Sequence, residues 1–346
     1  MFSRILVEQE VLSHPRTKSI LERFKTVPVK EISSISDVFQ RVKKPYLQKR
    51  DDLQLYIGTK KGQLVKKAPN AYGVKGEEHF YFIHSYNCIY ECEYCYLQGY
   101  FQSPDLVFFI NHEEIAEQIT AFYNKSDKET VWFHAGEFSD SLALSHITGE
   151  LPFYFELFKK LPKAKLELRT KSANIKPLLD LEPEDNIIVT FSLSPAHRIK
   201  NTDLKTPSLK HRLKAIESLV AKGYKIGIHF DPVIFEDDFS NAYSELLDSL
   251  NKVLPAENLE YLSLGVVRFT KDVYHQVRKN YPKSDLLGSE FQKTPEGLVR
   301  YPRPLRMAML HRLESLCYES GIKKEKVYLC MEDEFFNENN NETSCD

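Results

Sequence analysis

Cys88, Cys92 and Cys95 stand in the spacing C-x3-C-x2-C within the stretch HSYNCIYECEYCYLQ (84–98), and Tyr94 directly precedes the third cysteine. Iron–sulfur clusters are held by thiolates, and three on one short loop can bind three irons of a [4Fe–4S] cluster. The fourth iron is then without a protein ligand and open to a small molecule, which is what an S-adenosylmethionine (SAM) radical site needs. Zinc competes for two of these thiols, but structural zinc takes four ligands, usually from paired C-x2-4-C elements. No second pair occurs, because Cys317, Cys330 and Cys345 are scattered. His84 is a further candidate ligand that nothing in the spacing places. A disulfide framework suits a small secreted chain, not 346 residues without a recognisable secretory segment.

The elements around this loop follow a repeating order. A strand-like run at 80–83 leads into it, and further strands are predicted at 130–134, 165–170, 187–193, 225–230 and 262–269. A short apolar run lies at 105–111. Helical patterns occupy 113–123, 150–161, 175–179, 210–222 and 243–253. In the 210–222 helix, Leu213, Ile216, Leu219 and Val220 share one side, and Gly223 supplies the stop. Strands alternating with helices at about 30 residues predict parallel βα units. Six such units predict an α/β fold with a partial (β/α)6 TIM-type barrel, rather than an eight-unit barrel or an open sheet. Chemistry in parallel barrels sits at the C-terminal strand ends. The cysteine loop, Gly136-Glu137, Lys171, Ser192, Asp231 and Arg268 all fall at such ends.

The predicted organisation has four parts: an N-terminal appendage at 1–75, the barrel at 76–270, a C-terminal extension with a basic hairpin and a helix at 271–331, and a disordered acidic tail at 332–346. The appendage has strand-like pieces at 5–7 and 27–29 and a helix at 19–24. It also carries Lys43, Lys44, Lys49, Arg50, Lys60, Lys61, Lys66 and Lys67. We read this basic stretch as a solvated surface, with a phosphate-contacting face as the alternative. The extension holds a hairpin at 291–301, a helix at 305–318 and a last strand at 326–330. From Arg268 to Arg306 there are nine Lys and Arg against four acids, so Arg300, Arg303 and Arg306 are candidate phosphate contacts. The whole chain, by contrast, carries a net charge of −2. Any nucleic-acid binding must therefore come from a local patch. No apolar run reaches membrane-spanning length, and the first residues lack the apolar core of a signal peptide. The expected compartment is the cytoplasm, where thiols stay reduced.

These residues resemble the radical SAM superfamily and, within it, the spore photoproduct lyase family. The resemblance covers nearly the whole chain from about residue 75, and the first 75 residues match more loosely. It rests on Cys88 to Gln98 with its Y-C-Y-L-Q ending, on Leu168-Arg-Thr-Lys171, on Phe191-Ser192-Leu-Ser, on the stretch from Arg212 to Gly227, and on Arg268-Phe-Thr-Lys271. It implies a [4Fe–4S] cluster and SAM as cofactors, reductive cleavage of SAM to a 5′-deoxyadenosyl radical, a reductant such as flavodoxin or ferredoxin, and repair of a thymine photoproduct in spore DNA. Carried onto this chain, Cys88, Cys92 and Cys95 bind the cluster and Tyr94 lies against the adenine. Ser139, Lys171 and Ser192 contact the methionine carboxylate and the ribose. Lys171 brings a positive charge to a carboxylate anion. Tyr96 is a candidate relay in hydrogen-atom transfer.

Two departures limit the resemblance. The lyases carry a cysteine in A-x-C-T-S-D that gives a hydrogen atom to the repaired base. Here the loop reads Ala135-Gly136-Glu137-Phe138-Ser139-Asp140. Glu137 cannot give a hydrogen atom as a thiol does. Gly136-Glu137 instead resembles the G-E pair of other radical SAM enzymes, where the carboxylate accepts from the methionine ammonium. Cys330 could reach the site only if the last strand lies beside the barrel mouth. The second departure is a basic hairpin shorter than the lyases' own. Three readings remain: photoproduct repair, a related hydrogen abstraction on another substrate, and a non-catalytic iron–sulfur or nucleic-acid-binding homologue.

Overall fold

The computed structural model describes residues 2–40, 46–47, 50, 52–69, 71–74, 76–288 and 290–332. Six parallel strands form a curled sheet in chain order: Glu78–Phe82, Val131–His134, Ala164–Thr170, Ile187–Ser192, Lys225–Val233 and Leu259–Val266. We call them the first to sixth barrel strands. Val65–Lys67 adds an antiparallel edge to the first, and Val327–Leu329 a parallel edge to the sixth. The sheet is thus a partial barrel, open between these two edges. The last strand therefore extends the parallel run beyond the six predicted units.

The connections explain the parallel order. His112–Lys125, Leu151–Phe158, Lys176–Leu179, Leu209–Lys222 and Phe239–Asn251 each carry the chain from one barrel strand to the next. Their apolar faces cover the sheet: Ile115, Ile119, Phe155, Phe158, Ile216, Leu219, Leu246 and Leu250 are all buried in one core with the strands. The fourth strand is buried at every residue, as expected of a central parallel strand covered on both faces. Gly223 closes the Leu209–Lys222 helix with a φ of 105°, and its N–H reaches the Leu219 and Val220 carbonyls at 3.1 and 2.9 Å.

The third strand shows the barrel's unusual interior. Its KLELRT alternation places Glu167 and Arg169 inside, with Glu167 at 0% exposure. A carboxylate without water needs several donors. Glu167 receives His229 Nε2 at 2.8 Å, Tyr261 Oη at 2.5 Å and Arg169 Nη2 at 3.1 Å, and it also pairs with His134.

A second sheet is ordered Val29–Ile32, Arg4–Glu8, Gln54–Gly58, Leu106–Phe109, Ser85–Tyr86, three of its five strands coming from the N-terminal region. The apolar run at 105–111 joins this sheet, and Ser85–Tyr86 comes from the segment entering the cysteine loop. Strand pairing therefore crosses position 75. The N-terminal helix spans Pro15–Glu22, earlier than the pattern predicts, because Pro15 occupies its first position.

At the other end, Gln292–Lys293 and Leu298–Arg300 form the predicted hairpin, turning at Gly297 with φ 84°. The helix spans Arg303–Glu319. Glu332, placed at the start of the expected tail, is instead buried between Arg300 and Arg306. Residues 333–346, and Lys43, Lys44 and Lys49, lie outside the described residues. Among the described residues, no helix is long and apolar enough to cross a membrane.

Candidate active site

A cleft of about 440 Å³ opens at the C-terminal ends of the barrel strands. Cys88, Cys92, Cys95, Tyr94, Tyr96, Glu137, Ser139, Lys171 and Ser192 all line it.

The cysteine loop is shaped from three sides. Asn87 takes a left-handed φ of 63° and its amide donates to the Ser103 and Asp105 carbonyls at 2.8 and 2.6 Å. That turn takes the chain from the N-terminal sheet to Cys88. Arg50 then clamps the loop from beneath. Its guanidinium donates to the Cys88 and Tyr90 carbonyls at 3.1 and 2.8 Å and to Glu91 Oε1 at 3.0 Å. On the barrel side, Glu91–Cys92 pairs antiparallel with Asp203–Leu204. The Tyr94 hydroxyl donates to Asp203, which accepts Arg212 Nη2 at 2.9 Å, while Arg212 Nη1 reaches the Ser192 carbonyl at 2.8 Å. Tyr94 is thereby tied to the end of the fourth barrel strand. Finally, Gln98 Nε2 donates to the Glu93 carbonyl at 2.7 Å across the loop's last turn.

The second and third strands supply the facing wall. Asp140 joins them. It accepts the Leu142, Ala143 and Lys171 backbone N–H groups at 3.0, 2.8 and 2.7 Å and the Thr170 hydroxyl at 2.6 Å. This fixes Ser139 and Lys171 side by side. Lys171 Nζ sits 5.6 Å from the Tyr94 ring centroid, a cation over an aromatic face. Gly136 is confined: a Cβ there would come within 2.9 Å of the Arg169 carbonyl oxygen and of Ser141 Oγ. Burial pushes the Glu137 carboxyl up, and the Arg169 guanidinium pulls it back. The Tyr96 hydroxyl donates to the Glu137 carbonyl.

Does this cavity fit the cofactors the spacing implies? The three thiols are free, and Cys92 is buried. Burial pushes Cys88 up to about 12 and raises Cys92 and Cys95. Thiolates in such surroundings need cations, and bound iron supplies them. Among the described residues, no three His, Cys, Asp or Glu side chains converge as a single metal ion requires. A cluster asks instead for thiols around one cavity, each with its own iron. Ser139 Oγ is buried, lacks a hydrogen-bond partner and borders the cleft. Such an orphaned hydroxyl suits a polar ligand. The donor set therefore fits both groups.

Sequence reasoning missed Arg50, Arg212, Asp203 and Arg169. Arg169 and Arg212 lie within segments that carry the resemblance but were given no role there, Arg50 and Asp203 lie in none, and only tertiary contact brings each to the site. The hairpin arginines require a correction. Arg300 and Arg306 are 5% and 7% exposed and share the Glu332 carboxylate, so burial removes them as phosphate contacts, whereas Arg303 stays exposed. Asp231 pairs with Arg268 at 3.1 Å, and both line the cleft. Cys330 does lie beside the barrel mouth, since its strand neighbours the sixth. It is 1% exposed, packs with Tyr72, and burial pushes its thiol up to about 11.

Known proteins share both sequence and fold with this chain. The family profile "Spore photoproduct lyase" matches residues 1–301. Spore photoproduct lyase of Bacillus subtilis is 26% identical over 289 residues, 82% of this chain and 83% of that protein. The Clostridium acetobutylicum enzyme is 24% identical over 87% of this chain and 89% of its own length. A solved spore photoproduct lyase complexed with dinucleoside spore photoproduct superposes with a TM-score of 0.81 at 21% identity, covering 95% of this chain and 98% of that one. A variant with bound AdoMet and dinucleoside spore photoproduct gives the same score and coverage. This chain belongs to the spore photoproduct lyase family of radical SAM enzymes.

Proposed function

We propose that this chain binds a [4Fe–4S] cluster through Cys88, Cys92 and Cys95, and cleaves SAM to abstract hydrogen from a pyrimidine photoproduct or a related base in nucleic acid. The observation that carries the reading is one cleft combining three free thiols, the orphaned Ser139 hydroxyl, the Lys171 ammonium and the Glu137 carboxyl. When bound, the cluster and SAM together supply a 5′-deoxyadenosyl radical. The chain's own residues position and enclose. Lys171 pairs with the methionine carboxylate, and Glu137 accepts from the methionine ammonium. Ser139 and Ser192 offer hydroxyls to the ribose and carboxylate. Tyr94, held by Asp203, presents its ring to the adenine. Tyr96 stands at the cleft wall as the candidate relay for a hydrogen atom. A one-electron reductant of the flavodoxin or ferredoxin class completes the requirement.

Anaerobic reconstitution with iron and sulfide, followed by dithionite and SAM, is expected to release 5′-deoxyadenosine. An intact cluster without that product would favour the non-catalytic homologue and sink the proposal. Adding dinucleoside spore photoproduct separates the substrates. Conversion to thymines assigns repair. Release of 5′-deoxyadenosine no faster than without the dinucleoside, and with no conversion of it, rules out repair of this photoproduct and leaves a related hydrogen abstraction, the outcome consistent with a carboxylate where the lyases carry a thiol.

A further inference from the structure

One large aromatic at the cleft rim is left open to solvent. Tyr100 ends the short helix Leu97–Tyr100 that follows the cysteine loop, and it is 53% exposed. Its inner side is not isolated. The ring packs against Phe101 at 5.0 Å, Phe138 at 5.2 Å and Tyr96 at 6.2 Å between centroids. Phe138 in turn meets Tyr81 at 5.7 Å. Tyr96 and Tyr81 both line the cleft. An unbroken run of rings therefore leads from the cleft wall to a solvent-facing tyrosine. A cation stands on the same run. Lys66 is paired in register with Tyr81, and its Nζ lies 5.7 Å from the Phe138 centroid. Glu137, the nearest acid of the loop that carries Phe138, turns into the cleft rather than toward this rim.

An exposed aromatic beside a lysine is the pairing that holds single-stranded nucleic acid: the ring stacks a base of any sequence, and the ammonium meets the adjoining phosphate. Because the rings continue into the cleft, a base held there and its neighbour on the rim can belong to one strand. We propose that Tyr100 stacks the nucleobase flanking the reacting one, with Phe138 as its backing and Lys66 contacting the intervening phosphate. This rests on the nucleic-acid reading of the cleft, and it makes the substrate a strand longer than the reacting pair.

The test compares two probes by equilibrium binding under anaerobic conditions to the reconstituted protein with SAM. One is the dinucleoside photoproduct, which has no flanking base. The other is a single-stranded hexamer with the photoproduct at its centre. Tyr100→Ala is expected to weaken hexamer binding about fivefold to a hundredfold and leave the dinucleoside unchanged. Tyr100→Phe restores the hexamer, because the ring and not the hydroxyl stacks. Lys66→Ala lowers the salt slope of hexamer binding by about 0.7 without affecting the dinucleoside. Unchanged dinucleoside binding also shows that each variant is folded. Equal losses on both probes, or hexamer binding indifferent to Tyr100→Ala, would overturn the platform while leaving the cleft reading standing. Slower reduction by flavodoxin with hexamer binding intact would also overturn it, assigning the rim to the reductant. Failure of the wild-type protein to bind either probe would overturn the nucleic-acid reading itself.

Discussion

Glu137 is the residue on which the chemistry of this chain turns. Its carboxyl faces the same cleft as Lys171, and the two are matched in sign to the ammonium and the carboxylate of an amino acid. Burial alone would favour a neutral Glu137, and a cation brought against it would restore the charge. Glu137→Gln keeps the shape and removes that charge-assisted bond. We expect SAM affinity to fall about fivefold to thirtyfold, as losing 1–2 kcal/mol implies, with cluster content by iron analysis unchanged. Equilibrium dialysis under anaerobic conditions reads the affinity, and an unaltered dissociation constant would remove Glu137 from the SAM site. Glu137, Lys171 and Ser192 were legible in the sequence because each stands at or within three residues of the C-terminal end of a predicted strand. Arg50 was not: it lies in a basic stretch that reads as a solvated surface, yet it is 6% exposed beneath the cysteine loop.

At the scale of elements, the loop depends on a latch that belongs to the barrel. Arg212 sits in the first turns of the Leu209–Lys222 helix, is fully buried, and joins Asp203 to the end of the fourth strand. Periodicity places Leu213, Ile216 and Leu219 on the core face. Position 212, one turn before Ile216 and two before Leu219, lies on that same face, but periodicity gives no reason for the buried residue there to be an arginine. The pairing partner decides it, because Asp203 is 2% exposed and a buried carboxylate without a cation is costly. Arg212→Leu leaves Asp203 and the Tyr94 hydroxyl without that cation. The expected cost is about 3–5 kcal/mol, seen as a thermal midpoint lower by about 5 °C, with less iron retained after reconstitution. Calorimetry and iron analysis check both. A midpoint within a degree of wild type would show that the latch contributes no stability.

The whole molecule carries a pH signature set by its polar interior. Burial holds His79, His84 and His229 down to about 4 and His112 to about 3. In the unfolded chain these imidazoles titrate near 6.5. Between about 4 and 6.5 the unfolded state therefore binds more protons, so stability rises with pH there and is lost on acidification. Each histidine contributes about 1.4 kcal/mol per pH unit in that window. Glu150, pushed up to about 7 by burial, acts in the opposite direction as one carboxyl against four imidazoles. Glu167, held well below the usual carboxylate range chiefly by Arg169 against its burial, adds a further loss at lower pH. The thermal midpoint should fall markedly from pH 7 to pH 5 in circular dichroism. A midpoint that is flat or rising on acidification would contradict this account.

Local chemistry determined what could be read without a structure. The cysteine spacing, the strand–helix alternation and the strand-end positions of Glu137, Lys171 and Ser192 depend on residues close in the chain, so they were visible in one dimension. The same alternation in KLELRT could not say which face turns inward. A polar face in water and a polar face inside a barrel have the same period, and only the partners His134, His229 and Tyr261 choose the interior. The charge of the hairpin misled for the same reason: Arg300 and Arg306 read as exposed cations until Glu332 folds back onto them and all three are buried together. The arrangement of Arg50, Asp203 and Arg212 around the cysteine loop, and the ring-to-ring path from Tyr81 through Phe138 to Tyr100, arise from contacts between distant segments. Such contacts have no sequence period, and the tertiary structure alone decided them.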